Sequence, residues 1–115
     1  LSGFITSDAI TNIDKKTPSE FEALKLHLKG LSTDAIGVTG IANYKDKEIQ
    51  NLTITVVINV KTYGEQEFFV SGASEALDSA FSEMFDVKMI VKATNDVVAV
   101  IRKNKGHSIE VNTLY

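Results

Sequence analysis

Residues 52–63, which read LTITVVINVKTY, constrain the fold more than any other stretch of the chain. Apolar and polar side chains alternate along it, and Val57 is the one apolar residue on the polar side. Successive side chains of a strand point to opposite faces, and β-branched residues favour strands. The stretch therefore predicts a long strand with one face in a core. The opposite, wet face is predicted to carry Thr53, Thr55, Asn59 and Lys61.

Two helices are predicted on either side of this strand. TPSE at 17–20 places a capping threonine, a first-turn proline and a glutamate at the spacing of a helix start. Apolar residues repeat at helical spacing as far as Leu28, and Gly30 is predicted to end the helix in a left-handed conformation. The second helix is predicted to begin at Ser74 and to end near Phe85.

The other strands are indicated by alternating apolar residues between turn signals. Within the first of them, Gly37 and Gly40 indicate a bulge or a close approach of the backbone to a neighbour. The strands besides the central one are predicted at 34–44, 66–71, 87–94, 97–103 and 107–114.

These elements predict an α+β fold, with two helices packed on antiparallel β-sheet in the order α-βββ-α-βββ. Two αβββ halves related by a pseudo-two-fold axis satisfy this order. A single one-sided sheet with both helices on its apolar face satisfies it too. A chain of 115 residues is expected to form one α+β domain over 1–115. Residues 1–16 fit either an edge strand at Phe4 or a short helix after Ser7.

The composition excludes several classes of protein. The chain is 43% hydrophobic and 23% charged, which is typical of a globular domain. It contains no cysteine, which excludes a disulfide framework, a thiolate metal site and a cysteine nucleophile and leaves the compartment undetermined. No apolar run approaches the roughly 18 residues of a membrane span, so no membrane partner is expected.

The stretch 52–84 is similar to part of a known regulatory domain through TITV at 53–56 and FVSGASEAL at 69–77. It resembles one half of the allosteric regulatory domain of isopropylmalate and citramalate synthases, which is built from two βββα units. That family carries a Gly-Pro pair before the helix, where this chain has SGAS at 71–74, and a helix after its last strands. The resemblance implies a similar topology, and no functional residue is carried over from it.

Residues that could perform catalysis or hold a metal are sparse. His27 and His107 are the only histidines and lie far apart in the sequence, whereas a zinc site needs three or four converging ligands. Glycine-rich phosphate loops and the nucleophile elbow are absent from the sequence. We therefore expect no catalytic residues, no metal and no cofactor, and predict that the protein is not an enzyme.

A basic segment at 102–107 is the best candidate for an anion site. It contains Arg102, Lys103, Lys105 and His107 at a predicted hairpin tip, where they could reach a phosphate backbone. The net charge of −3 and the lack of aromatic residues between the bases argue against nucleic-acid binding. Nucleic acid is therefore an alternative partner and not the expected one.

Apolar residues on predicted wet surfaces indicate self-association. Val57, Ile90 and Leu114 have the parity that should face water, and Tyr115 adds apolar surface at the end of the last strand. The sheet must also have two edges. We therefore predict a binding or assembly module that forms a homo-oligomer through a sheet edge or its open face. A regulatory domain that binds a small molecule between two equivalent halves is the other alternative.

Overall fold

The computed structural model describes residues 1–60 and 62–115, and in these residues it contains six strands and three helices. In chain order they are β1 (Ser2–Phe4), α1 (Asp8–Thr11), α2 (Lys16–Lys29), β2 (Gly37–Lys45), β3 (Glu48–Ile58), α3 (Tyr63–Asp78), β4 (Asp86–Ala93), β5 (Asp96–Lys103) and β6 (Glu110–Thr113).

The six strands form one sheet in the order β1 to β6. Neighbouring strands are antiparallel except for β3 and β4, which are parallel and are connected by α3. Parallel neighbours need a long crossover, and a helix usually supplies it. α2 and α3 contact each other and share one core with the sheet. The predicted α+β class is confirmed, in the form of a one-sided sheet with its helices on the apolar face.

The element order differs from the predicted α-βββ-α-βββ. Two strands, not three, separate α2 from α3, and β1 completes that half of the sheet from the N-terminal side. The pseudo-two-fold arrangement is not adopted. An axis perpendicular to the sheet would make the central strands antiparallel, and an axis along the strands would put the helices on opposite faces. Here β3 and β4 are parallel and the helices share a face.

The central strand predicted from 52–63 is β3, which begins earlier and ends at Ile58. Leu52, Ile54, Val56 and Ile58 are buried, whereas Val57 is exposed, so the predicted alternation is confirmed. Lys61, which was assigned to the wet side, lies outside the described residues.

The strand predicted at 66–71 is wrong, because this segment lies inside α3. Thr62 caps that helix: its hydroxyl accepts a hydrogen bond from the Glu65 backbone N–H at 3.2 Å and donates one to the Glu65 carboxylate at 2.9 Å. Consecutive residues Phe69 and Val70 are both buried, as on a helix. The helix predicted to begin at Ser74 instead ends at Asp78.

The start of α2 differs in detail from the prediction. Asp14, not Thr17, caps the helix, because its carboxylate accepts the backbone N–H groups of Lys16 at 3.1 Å and Thr17 at 3.2 Å. Gly30 ends the helix with φ −73°, so the predicted left-handed conformation is wrong. Both readings of residues 1–16 are realised, since β1 precedes α1.

The close backbone approach predicted for β2 is confirmed at Gly40. A Cβ at this position would lie 2.8 Å from the Phe21 ring and 3.1 Å from the Ile5 side chain. Both of these neighbours are buried. The bulge also occurs in this strand, between Asn43 and Tyr44. Phe21 of α2 therefore packs directly against β2 at Gly40.

Candidate functional site

The face of the sheet opposite the helices is not covered by any element among the described residues. Residues paired across neighbouring strands point to the same side, so the register defines this face. None of its side chains is buried. We call this surface the open face, and it consists of Ser2, Phe4, Gly37, Thr39, Ile41, Asn43, Lys45, Glu48, Asn51, Thr53, Thr55, Val57, Asp86, Lys88, Ile90, Lys92, Val97, Val100, Arg102, Glu110 and Asn112.

Two of the four predicted interface residues lie on the open face. Val57 pairs with Lys92, and Ile90 pairs with Thr55 on the same two strands, so the side chains of Val57 and Ile90 are near neighbours. Leu114 follows β6 and is exposed, and its N–H donates to the Val98 carbonyl at 2.8 Å.

Tyr115 has a different environment. Its ring packs edge-on against Tyr63 at the start of α3, with 5.1 Å between ring centroids. Burial, Glu67 and Tyr63 raise the pKa of the Tyr115 hydroxyl. Tyr115 therefore belongs to the helix side of the molecule, away from the open face.

Sequence reasoning missed the aromatic corner of the open face. Phe4 is 57% exposed and Ile41 is 49% exposed, and the two are paired across β1 and β2. Ile41 could have been found from its odd parity in the strand predicted at 34–44. Phe4 could not, because its segment was compatible with both an edge strand and a short helix after Ser7.

Charge is unevenly distributed over the open face. On β2 and β3 the centre is formed by Thr39, Thr53 and Thr55, and the charged pair Lys45 and Glu48 lies at the hairpin end. The cations Lys88, Lys92 and Arg102 lie on β4 and β5, and the carboxylates of Asp86 and Glu110 lie at the margins of the same half. The open face thus combines a threonine-rich half with a half on which cations lie near the centre.

The edges of the sheet are poor surfaces for pairing. β1 has three residues and β6 has four, so either edge offers only a few backbone hydrogen bonds. Short edge strands are one way in which proteins avoid edge-to-edge pairing. Val111 of β6 pairs with the buried Ile101 and so lies on the helix side of the sheet, but it is 42% exposed.

The four predicted anion-binding residues do not form one patch. Arg102 lies on the open face between Lys88 and Glu110. Lys103 turns to the helix side, where its ammonium contacts the Asp78 carboxylate at 2.8 Å. Lys105 and His107 lie at the β5–β6 turn. Because the cations are divided between two faces and one is neutralised, the arrangement weakens the case for nucleic acid.

A cleft of about 240 Å³ lies beside this turn, between the α3–β4 loop and the start of the β5–β6 connection. We call it the tip cleft. Its inner surface is apolar, and its polar rim includes Lys105 and His107. The cleft is lined by Leu77, Asp78, Phe81, Glu83, Met84, Phe85, Val87, Lys103, Asn104, Lys105 and His107.

A larger polar cavity of about 650 Å³ adjoins the tip cleft and includes Asp14. The Tyr44 hydroxyl donates to this carboxylate at 2.5 Å. Burial alone would raise the pKa of Asp14, but the hydrogen bonds from Tyr44, Thr17 and Lys16 lower it below its ordinary value. Burial and the contact with Asp14 raise the pKa of Tyr44. A carboxylate held ionised in this way is a weak general base.

The two histidines do not converge. His27 lines a groove between α2 and α3 next to Phe68, whereas His107 lines the tip cleft. In the described part of the chain, no group of three or more His, Cys, Asp or Glu residues is arranged to hold a metal ion. No helix there is both long and apolar enough to span a membrane.

Comparison with known proteins identifies the family. The sequence model described as CamS sex pheromone cAM373 precursor matches residues 3–108, which is most of the chain. The chain belongs to the CamS family. The stated resemblance to synthase regulatory domains therefore does not give the family, and its βββα topology is not that of this sheet. Among curated proteins, the sequence search finds no match.

Solved structures of similar proteins share the fold. The crystal structure of the sex pheromone staph-cAM373 precursor has a TM-score of 0.86 at 22% identity, covering 99% of this chain and 41% of that one. A sex pheromone precursor from Lactobacillus salivarius gives 0.85 at 18% identity, covering 90% and 31%. The C-terminal domain of the staph-cAM373 precursor from Staphylococcus aureus gives 0.86 at 18% identity, covering 100% and 34%. The chain thus spans less than half the length of each relative, and none of their names states an enzymatic activity.

Proposed function

We propose that this chain is a non-catalytic interaction domain of a sex pheromone precursor and that it self-associates through its open face. The observation that carries the proposal is the uncovered face of a six-stranded sheet, on which Phe4, Ile41 and Val57 are exposed. Phe4 and Ile41 are neighbours at one end of the face, and Val57 and Ile90 are neighbours further along the strands. Groups of exposed apolar residues on an uncovered face are typical of interaction sites.

The size of the open face supports a dimer. Strands rise about 3.4 Å per residue and lie about 4.8 Å apart, so strands of these lengths give a face of about 700 Å². A standard interface buries about 800 Å² on each partner, and weak encounters bury less. Two open faces packed together would therefore reach the lower end of the standard range, which fits a reversible dimer.

The chemistry of the face supports the same reading. Threonine and valine side chains dominate its centre, and such residues pack well when two sheets stack about 10 Å apart. The interfaces of reversible complexes are only about as apolar as the rest of a protein surface. A mixed face with Ile90 and Thr55 at its centre therefore fits a reversible contact better than a permanent one. The short edges favour the face over edge pairing.

Light scattering coupled to size-exclusion chromatography tests the proposal. The parent chain should shift from monomer to dimer as its concentration rises over about 5–500 micromolar, a range suited to weak dissociation constants. Val57→Lys combined with Ile90→Lys should weaken dimerisation at least tenfold, because it places two more cations beside Lys88 and Lys92.

Leu26→Lys is the matched control, since Leu26 is exposed on α2 on the opposite side of the molecule. It introduces the same side chain and should leave the dimer unchanged. A parent chain that remains a monomer at the highest concentration would rule out self-association. Equal weakening by the control and the open-face variant would show that the face is not the contact surface.

A further inference from the structure

We propose that the tip cleft binds a small carboxylate that carries one bulky apolar group. The cleft lies on the helix side of the sheet, apart from the open face, and its assignment does not depend on dimerisation. The argument rests on three features of the cleft: its apolar floor, the nitrogen donors of Lys105 and His107 that form no ion pair, and its volume.

The floor of the cleft is apolar and aromatic. Leu77, Phe85 and Val87 form part of the core and expose only a few per cent of their surface. Phe81 packs on Phe85 with 5.2 Å between ring centroids. An apolar group that enters the cleft would therefore meet a fixed aromatic surface.

Met84 provides an adaptable wall at the mouth of the cleft. Its side chain is 66% exposed, in the segment predicted as the end of the second helix. Methionine is flexible and polarizable, and it is favoured at surfaces that adjust to a ligand. The exposure of Met84 is therefore readily explained if its side chain closes over a bound apolar group.

The charges around the cleft favour an anion. The Asp78 carboxylate is paired with the Lys103 ammonium at 2.8 Å, and Glu83 is paired with Lys16 at 3.0 Å. Within the described residues, the Lys105 side chain and His107 form no such ion pair. Both acids on the rim are thus compensated, while two nitrogen donors remain available to a carboxylate.

The position of Lys105 is fixed by the turn that carries it. Its backbone N–H donates to the Asp86 carboxylate at 2.8 Å, which ties the β5–β6 turn to the start of β4. Gly106 follows with φ +79°, a conformation that favours glycine. The backbone beneath the Lys105 ammonium is therefore held in place, and its exposed side chain lines the cleft.

The volume limits the size of the ligand. A cavity of about 150 Å³ holds one benzene molecule. The 240 Å³ of the tip cleft therefore has room for one ring or branched side chain with a carboxylate, and not for a long acyl chain. Two sources have this chemistry: the C-terminal residue of a polypeptide, and a free small acid.

Methionine-methyl NMR tests the assignment with 3-phenylpropionate as the probe. The chain has two methionines, so the spectrum has two methyl signals. Met84 lies at the cleft, whereas Met89 is completely buried in β4 and serves as an internal control. We expect the Met84 signal alone to shift, with millimolar affinity, which is what a fragment of about 11 non-hydrogen atoms can reach.

Matched probes and variants separate charge from hydrophobic contact. 3-Phenylpropionamide should bind at least tenfold more weakly than the acid, because it lacks the charge. Lys105→Gln should weaken the binding of 3-phenylpropionate about tenfold. Lys29→Gln, a change at an exposed lysine of α2, should leave its affinity unchanged. Equal binding of the acid and the amide, or no shift of Met84 at about 20 mM acid, would overturn the proposal.

An N-acetylated dipeptide that ends in phenylalanine identifies the source of the carboxylate. If it binds more tightly than 3-phenylpropionate and its C-terminal amide does not bind, the site recognises a polypeptide C-terminus. If the free acid binds more tightly, the site recognises a small metabolite. Both results support a carboxylate site. The Val57→Lys, Ile90→Lys chain should give the same affinities, which separates this site from the open face.

Discussion

Gly40→Ala is the substitution whose effect follows most directly from the structure. The new Cβ would lie 2.8 Å from one carbon of the Phe21 ring, 3.1 Å from the next, and 3.1 Å from a methyl carbon of Ile5. Carbon atoms prefer separations of about 3.5–4.0 Å. Phe21 and Ile5 are both buried, so neither side chain can move into solvent. The substitution must therefore strain the contact between α2 and β2.

The magnitude follows from two opposing effects. Overpacking of a tight core costs about 1–3 kcal/mol, and this site is at the upper end because two buried neighbours are compressed. Replacing glycine in a strand returns about 0.5–1 kcal/mol. We expect Gly40→Ala to lower the free energy of unfolding by about 1.5–2 kcal/mol. Gly37→Ala is the matched control, because its Cβ would contact only Val57, at 3.9 Å.

Urea denaturation followed by circular dichroism measures both variants. Both variants replace a strand glycine by alanine, so the gain from strand preference is the same in each. The difference between their free energies of unfolding should therefore equal the overpacking cost at Gly40, about 2–3 kcal/mol. For a chain of this size that corresponds to roughly 8–12 °C in Tm. Phe21→Leu should reduce the cost of Gly40→Ala, since it removes the ring edge that the Cβ meets. Equal stability of Gly40→Ala and Gly37→Ala would refute the reasoning.

Three further outcomes are expected. The pKa of Asp14 is lower in the folded chain than its ordinary 3.8, so its contribution to stability is present above that value and is lost as pH falls below it. In urea unfolding at several pH values, Asp14→Asn should therefore reduce the loss of unfolding free energy at acid pH. The pKa of Tyr44 is raised above 10.0, so its contribution is present below pH 10 and is lost as pH rises; Tyr44→Phe should remove the alkaline loss. Thr62→Ala should cost about 1 kcal/mol in urea unfolding, and Thr62→Ser should restore most of it.

The sequence predicted the parts of the fold that depend on local periodicity. Alternation identified β3 and its buried side, and the strand parity of residues 34–44 gave the buried face of β2. The same parity argument found Val57 and Ile90 on the open face. These predictions succeeded because every second residue of a strand with one solvent-exposed side is buried, and this alternation is visible in the sequence.

The position of α3 could not be obtained in the same way. Gly72 made SGAS at 71–74 look like a helix start, but it lies inside α3, where a Cβ would be only 3.0 Å from the Leu31 side chain just after α2. A contact between residues so far apart in the sequence cannot be recognised from a short stretch of it. One local signal was available, since Thr62 and Glu65 have the spacing of a capping box. The parallel pairing of β3 and β4 then depends on this longer crossover.

The charge pattern of the open face also determines how two copies should pack. An axis perpendicular to the strands would stack β4 and β5 on their own copies and bring Lys88 close to Lys92. At about 10 Å and an effective dielectric constant of about 20, each like-charged pair would cost up to about 1.5 kcal/mol. An axis parallel to the strands instead places Lys88, Lys92 and Arg102 of one copy on the threonine-rich half of the other. We therefore expect the parallel axis.

Cross-linking distinguishes the two packings. Because the chain contains no cysteine, a variant with one introduced cysteine can be cross-linked only at that position. Thr39 and Val100 lie in one row across the sheet, at similar distances from its centre. With the parallel axis, Thr39 of one copy faces Val100 of the other across about 10 Å. A bismaleimide of that length should therefore join Thr39→Cys to Val100→Cys in a mixture faster than it joins two Thr39→Cys chains. Faster joining of Thr39→Cys to itself would show that charge does not set the packing of the open faces.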